Sequence, residues 1–176
     1  MRVAGGQLRG RRLRAPRGQR PTTERVREAI FSILGGVEGE RVLDLFCGSG
    51  ALGIEALSRG AVSAVLLDAD PRVARANLEA LGLAERAETL RADACRWLDR
   101  AAEASFDLIL CDPPYGLDDR SRSRLESLLA RPLAPGGRVV TESSPERPLE
   151  IGLPLLRERA YGDTLVRVHG AREREA

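Results

Sequence analysis

The sequence contains no lysine: all 28 of its basic residues are arginine. Every side-chain cation is therefore a planar guanidinium, a geometry suited to phosphate, although genome composition or a thermophilic source could produce the same bias. Histidine occurs once, at His169, and cysteine three times, at Cys47, Cys95 and Cys111, with no Cys-x-x-Cys pair. A Cys/His zinc site is thereby excluded, and no metal is expected. The cysteines lie in or beside apolar stretches, as buried, reduced thiols of a cytoplasmic protein do. No apolar run approaches the length of a membrane span. The arginine-rich N-terminus has no apolar segment behind it, which excludes a secretory signal. The expectation is a cytoplasmic monomer with no membrane contact.

What is present is one domain's worth of chain. Its 176 residues, 43% of them hydrophobic, can bury a real core. The charge is uneven. Residues 1–27 hold nine arginines against the single acid Glu24, a local balance of +8 within a net charge of +2, so the remainder carries −6. A basic arm on an acidic body points to a polyanionic partner. Arg2, Arg9, Arg11, Arg12, Arg14, Arg17 and Arg20 are its candidate contacts, the alternative being a merely solvated tail. The division is a basic arm over 1–20 and a globular domain over 21–176.

The arm reads as a small hairpin, with a strand at 2–4, a turn at 5–7 and a return from 10 to 13. A helix starts at Pro21-Thr22-Thr23-Glu24, capped by a threonine, and ends at Gly35-Gly36. Strands at 41–46, 63–68, 87–91, 106–111 and 138–142 then alternate with helical patterns at 51–59, 71–81, 93–98 and 122–130. Such alternation implies a parallel sheet with helices on both faces. Strands at 155–160 and 164–169, joined by Tyr161-Gly162-Asp163, form a hairpin, so one strand should run antiparallel. Residues 171–176 read as a frayed end.

The most informative stretch is Val42 to Gly53. An apolar run turns through Gly48 and Gly50 into a helix, with Gly53 completing a G-x-G-x-x-G spacing. The spacing suggests that Gly48 permits the turn, Gly50 admits a ligand close to the backbone, and Gly53 lets the helix pack on the strand. A turn that only packs would look the same. Four acids stand at strand ends, where ligands of open parallel sheets bind. Asp68 suits ribose hydroxyls, Asp93 an adenine amino group or a helix cap, and Asp44 the glycine loop or a ligand ammonium reached through water.

The fourth acid opens Asp112-Pro113-Pro114-Tyr115. An exocyclic amino group is a poor nucleophile because its lone pair is delocalised into the base. Two acceptors that take both of its N–H hydrogens oppose that delocalisation, and the Asp112 carboxylate and Pro113 carbonyl can be those two. Prolines lack N–H donors and stiffen the loop, and Tyr115 offers a ring for stacking an extruded base. A dehydrogenase would have no use for this tetrapeptide. A Pro-Pro turn after a core strand is the bland alternative.

At these residues the chain resembles class I S-adenosylmethionine-dependent methyltransferases and, more narrowly, the RsmD family of bacterial 16S rRNA guanine-N2 methyltransferases. The resemblance rests on the Arg-Pro-Thr-Thr-x-Arg-Val-Arg-Glu-Ala run at 20–29, the Asp44-to-Ala56 stretch, Asn77-Leu78, Asp112 to Tyr115, and Tyr161-Gly162-Asp163-Thr164. It implies an α/β Rossmann-like fold with a mostly parallel seven-stranded sheet and an antiparallel last strand. It implies S-adenosylmethionine held by Thr22, Thr23, Asp44, Phe46, Cys47, Gly48, Ser49, Gly50, Asp68, Ala69, Asp93 and Ala94, and catalysis at Asp112 to Tyr115. The implied substrate is a guanine, numbered 966, of 16S rRNA in an assembled small-subunit particle, gripped by the basic arm. Asp68 departs from the glutamate of many relatives, a shorter reach to the ribose, and Cys47 from a frequent alanine. The tetrapeptide is shared with adenine-N6 enzymes, so an adenine-N6 methyltransferase on DNA or RNA is the alternative. A non-catalytic RNA-binding assembly factor is the alternative of another class.

Overall fold

A computed structural model describes residues 1–16 and 23–170. Arg17, Arg20 and Thr22, and the end at 171–176, lie outside the described residues. In chain order the elements are α1 Glu24–Leu34, β1 Arg41–Leu45, α2 Ala51–Ser58, β2 Ser63–Asp68, α3 Arg72–Ala80, β3 Ala87–Arg91, α4 Ala94–Leu98, β4 Phe106–Cys111, α5 Asp119–Leu128, β5 Leu133–Ser143, β6 Leu155–Tyr161 and β7 Thr164–Gly170.

The seven strands form one sheet in the order β3-β2-β1-β4-β5-β7-β6. β7 runs antiparallel to both of its neighbours, and the other pairings are parallel. The expected fold class, including the single reversed strand, is what is observed. After β3 the chain crosses back past β1 to lay down β4, so the strand order reverses between β1 and β4. Open parallel sheets bind ligands beyond the strand tips at such a switch.

Side chains of alternating direction feed two cores. Val42, Leu66, Leu108, Leu110 and Val140 pack against α1, α2 and α3 on one face. Leu43, Leu45, Leu67, Ile109 and Val139 pack against Leu98 of α4 and Leu125 of α5 on the other. Local caps set several helix starts: the Thr23 hydroxyl accepts from the Val26 N–H, and Asp118 accepts from the Ser121 N–H. The Asp118 cap starts α5 at Asp119, three residues earlier than the apolar spacing indicates. β5 starts at Leu133 rather than 138, through an irregular pairing with β4 between Phe106 and Leu108. Among the described residues no helix is long and apolar enough to cross a membrane.

The N-terminal hairpin does not form as a two-stranded ladder. One isolated antiparallel bridge joins Arg2 and Arg12. The segment is also tied to the body, mostly by side chains. Both Glu55 carboxylate oxygens accept from its backbone, from the N–H of Ala4 and of Gly5 at 2.8 and 2.7 Å. The Ser58 hydroxyl accepts from the Leu8 N–H and donates to the Gly5 carbonyl. Arg27, 0% exposed, donates to the Arg2 carbonyl. Val3, Ala4 and Leu13 are buried. A few backbone bonds do cross the segment, the N–H of Val3 donating to the Arg11 carbonyl and those of Gly10 and Leu13 to the carbonyls of Val3 and Met1, and since a short hairpin is unstable alone the body contacts supply the rest.

Candidate active site

Register places the site. Leu45 of β1 is level with Leu67 of β2 and with Cys111 of β4, which is level with Thr141 of β5. The next residues, Asp68, Phe46, Asp112 and Glu142, therefore stand in a row across four neighbouring strand tips. Adjacent strands lie about 4.8 Å apart. Side chains distant in sequence meet there because the strand order reverses, not because any of them are neighbours in the chain.

The turn after β1 is tightly determined. Phe46 has φ +61°, a left-handed conformation that only glycine adopts readily. Gly48 and Gly50 follow at +52° and +76°. The Asp68 carboxylate accepts from the Gly48 N–H at 2.9 Å with one oxygen and from the Asp70 N–H with the other. Asp44 is 1% exposed and accepts from the Gly53 N–H at 2.9 Å. Burial pushes its carboxyl up to about 7, with the charges of Asp112 and Asp68 adding to the rise and the Gly53 bond opposing it.

Gly50 carries a packing constraint that its spacing does not reveal. A Cβ there would come within 2.6 Å of Leu66 Cδ2 and 3.1 Å of Ala74 Cβ. Its φ and its packing against β2 and α3 by themselves require glycine there. Gly53 does pack close, its ideal Cβ lying 3.1 Å from Leu66 Cγ.

Other expected residues divide by what they touch. The Ser49 hydroxyl faces Met1 Sδ at 3.6 Å, towards the N-terminal segment. Cys47 lies in the core, its thiol pushed up by burial, and Cys111 behaves alike. Both are inert thiols rather than nucleophiles. Thr23 caps α1, and Ala69 is exposed. Asp93 caps α4 through the Arg96 N–H at 2.9 Å. Asp93 and Ala94 border a cleft of about 240 Å³ with Phe46, Leu117 and Arg120. A hollow of about 40 Å³ adjoins Pro113, Pro114 and Tyr115, walled by Glu142, Ser143 and Arg147. Tyr115 is 67% exposed, its ring available to stack. Arg2, Arg9, Arg11, Arg12 and Arg14 are all exposed. Among the described residues no group of three or more His, Cys, Asp or Glu could hold a metal ion.

Sequence reasoning met the residues that join these parts only as family markers and gave them no role. Asn77 is buried and makes three bonds: its amide donates to the carbonyls of Ser49 and Arg14, and its oxygen accepts from the Arg14 N–H. It ties the glycine loop to the arginine-rich segment. Glu55 is 0% exposed on the apolar helix α2. An acid in that setting is a signal that a partner must be found for it.

The family model described as "Conserved hypothetical protein 95" matches residues 1–170. The chain is 36% identical, over 190 aligned positions, to ribosomal RNA small subunit methyltransferase D of Escherichia coli (strain K12), spanning 100% of this chain and 91% of that protein. The solved structure of Escherichia coli yhhF is 35% identical and superposes with a TM-score of 0.80 over 98% of this chain and 99% of its own. An S-adenosylmethionine-dependent methyltransferase from Mesorhizobium loti, at 18% identity, covers 80% of this chain and 95% of its own with a TM-score of 0.62, a likeness of fold alone.

Proposed function

The chain belongs to the RsmD family, and from that premise we propose that it transfers a methyl group from S-adenosylmethionine to the exocyclic N2 of a guanine in small-subunit ribosomal RNA. The observation that carries the proposal is the row at the strand tips, where the glycine loop lies one strand away from Asp112-Pro113-Pro114-Tyr115 and Asp68 two.

The residues fit such a cofactor. Each Asp68 oxygen already accepts one backbone bond and keeps a lone pair for a ribose hydroxyl. The cleft beside Phe46, Asp93 and Ala94 has the volume of a flat heterocycle and more. Asp44, buried without a cationic partner among the described residues, suits an ammonium group. The cofactor supplies an electrophilic methyl group. The chain does the rest by positioning. The Asp112 carboxylate and Pro113 carbonyl accept the two N–H hydrogens of the target amine and leave its lone pair to attack. As the new N–C bond forms, the surplus proton passes towards Asp112. Tyr115 stacks on the extruded base, returning about 1–3 kcal/mol of the few that extrusion costs. The arginines of the N-terminal segment neutralise RNA phosphates.

Mass spectrometry of ribosomal RNA nucleosides from a strain lacking the gene tests this. N2-methylguanosine should fall by one residue per small subunit and return on complementation. Loss of N6-methyladenosine instead would favour the adenine alternative.

A further inference from the structure

Asp112 and Pro113 can pin an amino group, but they do not distinguish the bases that carry one. The neighbouring strand holds a group that can. Thr141 of β5 is in register with Cys111 of β4, so Glu142 stands beside Asp112. Glu142 is 5% exposed, a rare placement for a carboxylate. It walls the hollow beside Pro113 and Pro114. So does Ser143, whose hydroxyl oxygen is buried without a hydrogen-bond partner among the described residues. Such a group is explained when a polar ligand completes it.

Guanine and adenine differ on the edge beside the target amine. In guanine, N1 adjoins the N2 amine and carries a hydrogen that donates. In adenine, N1 adjoins the N6 amine, is bare, and accepts. An ionised carboxylate only accepts. Beside an amine held by Asp112 it bonds the first base and repels the second. Resting on the methyl-transfer reading above, we propose that Glu142 selects guanine, its carboxylate accepting the N1–H while Asp112 and the Pro113 carbonyl hold the amine. Glu142 also lies within electrostatic reach of the buried Arg27 guanidinium, so a counter-charge role is the competing account.

The test uses small subunits reconstituted with 2,6-diaminopurine in place of the target guanine. That base keeps the 2-amino group and presents a bare N1. The wild-type enzyme is expected to prefer guanine by about 100-fold or more in kcat/KM. Glu142→Gln supplies an N–H that bonds a bare N1, so the preference should fall by at least about tenfold, with the melting temperature and S-adenosylmethionine affinity retained. A counter-charge role would slow both substrates alike and leave the ratio in place, which overturns the assignment. Should Glu142→Gln not fold, the wild type decides: equal rates on the two bases overturn it as well. Absence of any methyl transfer from the wild type to unmodified subunits would instead remove the underlying methyl-transfer reading.

Discussion

Two buried carboxylates near the first strand-helix unit share a setting and differ in completion. Glu55 is surrounded: two backbone N–H groups from the N-terminal segment, and the Arg59 Nε at 2.9 Å. Asp44 has one N–H, from Gly53, and the negative charges of Asp112 and Asp68 as its electrostatic neighbours. Desolvating a carboxylate costs several kcal/mol unless charge and hydrogen bonds offset it. The fold offsets that cost at Glu55 and leaves it outstanding at Asp44. A completed carboxylate is a fastener, whereas the incomplete one at Asp44 is where the methyl-transfer proposal seats a ligand.

The contrast can be broken or sharpened from its functional end first. Asp112→Ala should lower kcat about 1000-fold while S-adenosylmethionine affinity stays within a few fold, measured by single-turnover kinetics and calorimetry. Near-normal turnover would remove Asp112 as an acceptor. Glu55→Ala should cost about 3–5 kcal/mol by stranding two buried N–H groups and the half-buried Arg59. That is a fall in Tm of roughly 10 °C for a chain of this size, with faster proteolysis within the first sixteen residues.

Asp44→Asn should act with the opposite sign. The folded carboxyl titrates at about 7 against 3.8 unfolded, so its stabilising contribution is complete below the lower value and is lost as pH rises through the upper one. The ligand-free variant should therefore melt above the wild type at pH 8, by at most about 4 kcal/mol, and match it near pH 4. Its affinity for S-adenosylmethionine should drop. A variant less stable than the wild type at pH 8 would show that the carboxylate is already compensated. The smallest effect belongs to the exposed arginines. Replacing Arg9, Arg11 and Arg12 by alanine should weaken RNA binding about tenfold and reduce the salt slope by about 2–3, with Tm unchanged. An unaltered slope would place the grip elsewhere.

What the sequence made legible were features whose cause is local. Alternating apolar runs marked the strands, and the tetrapeptide at Asp112 announced its chemistry. Asp44, Asp68 and Asp93 were visible because strand ends are visible. Contacts spanning 50 or more positions were not. Glu55 meeting Ala4, or Asn77 meeting Arg14, depends on how α2 and α3 pack beneath a segment whose own pattern showed a hairpin but not what it leans on. Glu142 acquired meaning only through the register of β5 against β4. Gly50 fitted a ligand-binding spacing, and the proximity of Leu66 adds a constraint the spacing does not show. A one-dimensional pattern does not separate a residue that makes room for a guest from one that makes room for its own fold.

The left-handed Phe46 bears on any attempt to harden this protein against heat. Holding a non-glycine residue there costs about 1–2 kcal/mol, so glycine at that position would relax the backbone. It would also take away one wall of the cleft. A screen that rewards survival at high temperature would meet two opposed terms at this position, the relief of backbone strain and the loss of a ring packed against the second core.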